Sequence, residues 1–208
     1  MLRLTRPSAA LLLVAVFGVA AHAQERGGAG RVELNAFPGG GVLFTQSSGG
    51  AEPDFTNYTL GVSFTWNANR WVGLETEAGF GIGGQRTVRL AGQTLAAQAM
   101  PDTMAFSEDL ILNPIGSDRA IVPYAAGGVG LFSLLHRDGT EALGLTDTQT
   151  FYAANVGGGL KWYAARGWGL RTDYRVMIVR PNGEAPPFFG GQETRYGHRF
   201  YASIFANF

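Results

Sequence analysis

The residues that could carry chemistry are few. Three histidines, His22, His136 and His198, are joined by no cysteine, so disulfides, thiolate metal sites and thiol nucleophiles are excluded. Two separated histidines beyond residue 23 have no ligand spacing, and no metal site is expected. Hydrolytic chemistry needs a nucleophile beside a histidine that a third group orients. The second residue after His198 is Phe200, no acid stands at a suitable spacing, and His136 opens a long loop. No catalytic residue or cofactor is expected. The spacing that does stand out is charge at every second position: Glu75 and Glu77, then Arg171, Asp173 and Arg175. In an extended chain such residues share one face. Glu33, Asp109, Lys161 and Arg199 fall on the corresponding face of their own segments. Five acids against four bases on an enclosed face imply a paired network, because desolvating a lone charge is costly.

Strands must position these charges. From Asn57 to Asn67 every even position is large and apolar, from Tyr58 to Trp66, and every odd one is small or polar. That is a period of two, with one apolar and one polar face. The alternation recurs in seven more segments. Val32, Leu34 and Ala36 share an apolar face closed by Val42 and Phe44; Val72 to Ile82 and Met104 to Leu112 follow. A weaker set is Val122, Tyr124, Ala126, Phe132 and Leu134; then come Tyr152 to Trp162, Trp168 to Ile178, and Phe200 to Phe208. Short links (67–70, 113–119, 164–167) alternate with long ones (45–56, 84–102, 135–149, 179–194). This is an up-and-down meander, and the fold class expected is all-β, an eight-stranded antiparallel up-and-down transmembrane β-barrel. Large aromatics on the apolar face gather at strand ends. Trp66, Tyr124, Trp162, Trp168 and Phe208 sit beside short turns; Phe44, Tyr58, Phe80, Phe132 and Tyr152 sit beside long loops. Two such rows match interfacial girdles, whereas a lipocalin-type soluble core has no reason to push tryptophan to its rim.

Composition agrees. Charged residues are 15% of 208, and 31 are glycine, a share about twice the usual roughly 7%. Zero net charge argues against a nucleic-acid partner. Arg3 and Arg6, the apolar run Ala9–Ala21 and Ala21-His22-Ala23 have the layout of a cleaved secretory signal peptide over 1–23. A lead-in over 24–30 and a barrel domain over 31–208 follow.

The last segment ends in Phe208 with apolar residues at alternate positions back to Phe200, which resembles the terminal strand that the outer-membrane barrel assembly machinery recognises. Together with V-P-Y-A-A-G-G-V-G at 122–130 and W-G-L-R-T-D-Y-R at 168–175, the chain from about 30 to 208 resembles the OmpA/OmpX-like outer-membrane β-barrel family. The resemblance implies a Gram-negative-type outer membrane, contact with its lipid and lipopolysaccharide, assembly through the strand ending in Phe208, and a monomer. It implies a structural or surface-interaction role through the long loops. Two alternatives stand beside it: lipid A modification, although Phe200 stands where lipid A deacylases carry serine, and a narrow channel. Eight strands enclose a space that side chains fill, which favours the paired network over a channel lining.

Two positions depart from the pattern. Glu108 falls on the apolar face, and a bulge between Phe106 and Leu110 is expected to turn it away; the alternative is a contact to a partner or polar lipid group. Phe188 and Phe189, within P-P-F-F-G-G at 186–191, are placed at a loop tip as a contact site, or folded back on the rim.

Overall fold

The computed structural model describes residues 32–45, 55–90, 93–165, 167–181, 185–189 and 193–208. The expected signal peptide and lead-in (1–30), and Gly190 and Gly191, lie outside the described residues. The strands are β1 (Val32–Thr45), β2 (Phe55–Asn67), β3 (Val72–Ile82), β4 (Gln85–Leu90), β5 (Gln93–Ala99), β6 (Asp102–Leu112), β7 (Ile121–Leu135), β8 (Gln149–Ala165), β9 (Trp168–Arg180) and β10 (Arg195–Asn207). Eight of them close an antiparallel barrel in the order β1-β10-β9-β8-β7-β6-β3-β2. Closure is completed by Phe208, whose N–H donates to the Val32 carbonyl at 2.9 Å, with the return bond at 3.2 Å. Four places apart in the ring, β9 stands opposite β3.

The remaining two strands lie in a connection read as loop from the sequence. Strands β4 and β5 form a separate two-stranded sheet at the loop end of the barrel. At the other end the links are tight. The Asn69 side-chain oxygen accepts from the N–H groups of Trp71 and Val72 at 2.8 and 3.0 Å, a local device that asparagine brings to turns. Gly116, with φ +76°, supplies the left-handed residue in the β6–β7 turn.

Side-chain direction follows the period of two on most of the barrel. Leu60, Val62 and Phe64 on β2 and Leu74 on β3 point out and are exposed, while Glu75 and Glu77 between the β3 positions are buried. With charges inside and an apolar outer wall, the barrel is stable only in apolar surroundings, the arrangement of a transmembrane barrel.

Two segments reverse the expected direction. In β1 the register shifts between Ala36 and Gly39 against β10, and between Phe37 and Gly41 against β2. The extra residue flips parity, so Val42 and Phe44 point inward and Leu43 points out. In β7, alanine and glycine on both faces left the contrast weak, and the even positions Val122, Tyr124, Ala126, Phe132 and Leu134 are the inward ones. Ile121, Val129 and Leu131 take the outer face.

Sharp strand curvature is permitted by glycine on the inner wall. A Cβ on Gly159 would collide with the Thr172 carbonyl of β9, and one on Gly128 with the Glu108 carbonyl of β6. Neighbouring backbones approach here to a distance that only glycine allows.

Candidate functional site

The lumen is the most elaborate part of the molecule, and it is layered. At the turn end, Val122, Tyr163 and Phe205 pack together, the two rings 5.1 Å apart and edge-on. Above them the Glu33 carboxylate accepts from Lys161 Nζ at 2.6 Å, Tyr163 O–H at 2.7 Å and Asn67 Nδ2 at 3.2 Å.

The middle layer is built on alternate residues of β9. Arg171 forks onto both Glu75 oxygens, with Nη2 donating to Oε1 at 3.0 Å, and reaches Asp173 at 2.8 Å. Its Nε donates to the Tyr124 hydroxyl at 2.6 Å, and that hydroxyl donates to Asp173 at 2.5 Å. Arg175 donates to Glu75 and to Asp109, each at 2.6 Å, and to Asp173 at 3.0 Å. Ser63 and Thr65 supply further donors to Glu75, and Ser107 and Asn155 to Asp109. Arg199 on β10 forks onto Glu77, which also accepts from Tyr201 at 3.0 Å. All nine charges read from the sequence are thus buried and paired with one another. Oxygens of Glu75, Glu77 and Asp109 approach within 4.8 Å of one another, a spacing that could hold a cation. The Arg175 guanidinium already fills that role, lying 2.6, 3.8 and 2.6 Å from the three carboxylates.

The loop end is sealed by an apolar stopper. Phe44, Phe132 and Phe151 from the wall meet Leu143 and Leu145 from the β7–β8 loop, and Phe188 and Phe189 from the β9–β10 loop. Phe189 stacks on Phe151 at 5.5 Å and Phe132 at 5.9 Å, and meets Phe44 edge-on at 5.5 Å. The reading of Phe188 and Phe189 as an exposed contact is therefore corrected: both are fully buried. Burial of two phenylalanines inside the barrel mouth outweighs exposure at a loop tip, because each removes a large apolar area from water.

Beside the stopper the loops are latched together. Arg137 donates to the Gly83 carbonyl at 2.9 Å and to Asp102 at 3.0 Å, while Asp102 accepts from the Gly83 N–H at 2.8 Å. This clamp holds the base of the β4–β5 hairpin to the β7–β8 loop. His136 pairs with Glu141 at 3.0 Å in the same loop. Hydrogen bonds from the Glu141 backbone N–H and from His136 hold that exposed carboxyl below the ordinary glutamate range.

On the outer wall, Trp66, Trp162 and Trp168 are exposed at the turn end and Phe208 is half-buried. Tyr124 is corrected from this row to the lumen, where it joins Arg171 and Asp173. Trp71, in the β2–β3 turn, is a further exposed tryptophan there. Tyr58 and Tyr152 are exposed near the loop end, whereas Phe44 and Phe132, expected in that row, line the stopper. His198 lies on the outer wall, half-exposed, its Nδ1 2.8 Å from the Tyr174 hydroxyl. Glu108 also points outward. Pairing is regular on both sides, Glu108 opposite Thr76 and opposite Val129, so the expected bulge does not exist. Its carboxylate instead takes the Thr76 hydroxyl, which lies 2.8 and 3.0 Å from the two oxygens.

No protein-family model matches this chain, and no curated protein matches it. Solved structures do. Neisserial surface protein A (NspA) aligns with a TM-score of 0.59 at 12% identity, covering 87% of this chain and 99% of that one. The outer membrane protein OprG of Pseudomonas aeruginosa aligns at 0.55 and 14% identity, covering 89% and 99%. The N-terminal β-barrel domain of Pseudomonas aeruginosa OprF aligns at 0.50 and 15% identity, covering 89% and 100%. At such identities the likeness is one of fold, the eight-stranded outer-membrane barrel.

Proposed function

We propose that this chain is an integral barrel of a Gram-negative-type outer membrane with a structural or surface-interaction role, presenting its long loops on a sealed scaffold. The observation that carries the reading is the filled lumen. A layer of buried ion pairs lies beneath a stopper of packed phenylalanines, which argues against a solute path. What the scaffold presents is the β4–β5 hairpin, a sheet of its own whose base is clamped by Arg137 and Asp102. Rigid scaffolds with displayed loops are where binding commonly resides. Export by a cleaved leader over 1–23, assembly through the strand ending in Phe208, and a monomeric state belong to the same proposal.

Planar-bilayer recording on the purified, folded chain tests it. No conductance is expected, and stable unitary currents would overturn the sealed-scaffold reading. Deletion of the gene with mass spectrometry of lipid A provides the second arm. An unchanged acyl pattern is expected; a changed one would replace this reading with an enzymatic one. Replacing the hairpin 85–99 by a two-residue turn is expected to keep heat-modifiable gel mobility while abolishing surface contact by the intact cell.

A further inference from the structure

A groove of about 640 Å³ runs across the outer wall of β6, β7, β8 and β9. Its walls are two adjacent rows of cross-strand partners. One row is Phe106, Leu131, Tyr152 and Arg180. The other, one pleat nearer the turns, is Glu108, Val129, Ala154 and Ile178. Three strand spacings make the groove roughly 14 Å long. Its floor lies low because Gly130, Ala153 and Ala154 supply no bulk.

The groove is apolar along its length and charged at opposite corners. Arg180 is the last residue of β9, at the loop end, and makes no ion pair among the described residues. Glu108 lies at the other corner and is half satisfied. The Thr76 hydroxyl has one proton, so it donates to one carboxylate oxygen at a time. Within hydrocarbon the second oxygen has no water to turn to, and an unmet polar group there is costly. A donor that suits this corner must itself be tolerable in lipid, which favours a neutral hydroxyl over an ammonium.

We infer that the groove binds one outer-leaflet lipid that carries a phosphate headgroup and a hydroxylated acyl chain. The phosphate meets Arg180, the chain lies over Gly130 and Ala154, and the chain hydroxyl donates to Glu108. The inference takes the outer wall as lipid-facing, and heat-modifiable mobility of each variant keeps a failure of that premise distinguishable from a failure of the site.

Native mass spectrometry of the full chain in detergent tests it, with 3-hydroxymyristoyl lysophosphatidic acid and myristoyl lysophosphatidic acid as paired probes. One molecule of the hydroxylated lipid is expected to bind, about tenfold tighter than its counterpart. That factor corresponds to about 1.4 kcal/mol. Glu108→Leu is expected to erase the difference and keep binding of the unhydroxylated lipid. Arg180→Gln is expected to weaken both lipids, and Ala154→Leu, which fills the floor, to lose both. Equal binding by Ala154→Leu and the unaltered chain would mean annular lipid only and overturn the site. A hydroxyl preference that survives Glu108→Leu would overturn the assignment of Glu108.

Discussion

Arg175 on β9 spans the lumen to Asp109 on β6, Nη1 to Oδ2 at 2.6 Å, and with its other terminal nitrogen holds Glu75 on β3 at the same distance. One guanidinium thereby satisfies carboxylates from two strands on the far wall, with Asp173 of its own strand as a third. Replacing it with methionine would leave Asp109 buried without a cation and take one arginine from each of Glu75 and Asp173, which keep Arg171. The expected loss is about 3–5 kcal/mol, seen as a lower urea midpoint for the barrel refolded in lipid vesicles. A variant as stable as the original would mean that water enters the lumen.

The stopper makes a different prediction. Phe189→Ala removes a ring packed on Phe132 and Phe151, and the expected cost is about 3–5 kcal/mol. Planar bilayers should nevertheless stay without current, since the layer of ion pairs below is untouched. Conductance in this variant would locate the seal in the stopper alone.

Glycines divide by position. Gly159→Ala drives a methyl into the Thr172 carbonyl and should cost about 1–3 kcal/mol through strain, with slower folding into vesicles. Gly41→Ala meets nothing nearer than the Asn57 carbonyl at 3.8 Å and should change stability by less than about 0.5 kcal/mol. Urea midpoints of the two variants measured side by side decide this.

The β7–β8 loop should respond to acid. The folded Glu141 carboxyl titrates below the ordinary range, so its contribution is in place above the unfolded value of about 4.3 and is lost as pH falls through the folded one. Amide exchange over 137–145 is expected to quicken only below about pH 4. Glu141→Gln should show the faster exchange at neutral pH, and an unchanged rate would remove the pairing from the loop's stability.

Much of the barrel was legible because its two faces differ so strongly in polarity. On β2 from Asn57, on β3, and on β9 as far as Arg175, small or polar inner residues alternate with an apolar outer set broken only by Thr76 and Thr172, and the outward and inward sets follow from the period alone. The inner charges were legible for the same reason. Phe44 was misread because a register shift reverses parity within one strand, and the Gly39–Gly41 run marks such a place without fixing its direction. Tyr124 was misread because alanine and glycine carry no preference between faces. The burial of Phe188 and Phe189 depends on a cavity lined by β1, β7, β8, β9 and the β7–β8 loop, a long-range fact that local pattern does not contain. Glu108 reversed the logic: the alternation held, and the residue that seemed to break it was answered by Thr76 across the strand pair.

The opposition of β9 and β3 in the ring has a mechanical consequence. Arg171 and Arg175 reach from one wall to Glu75 on the wall facing it, and Lys161 reaches from β8 to Glu33 on β1. These are struts along and near the diameter of a hoop. A hollow cylinder of eight strands flattens under sideways load at little cost, because its walls need only bend. A braced one must stretch a charge-assisted bond to change its cross-section at all. The bilayer's lateral pressure therefore acts on a body of nearly fixed girth, and shape changes are left to the loops above it.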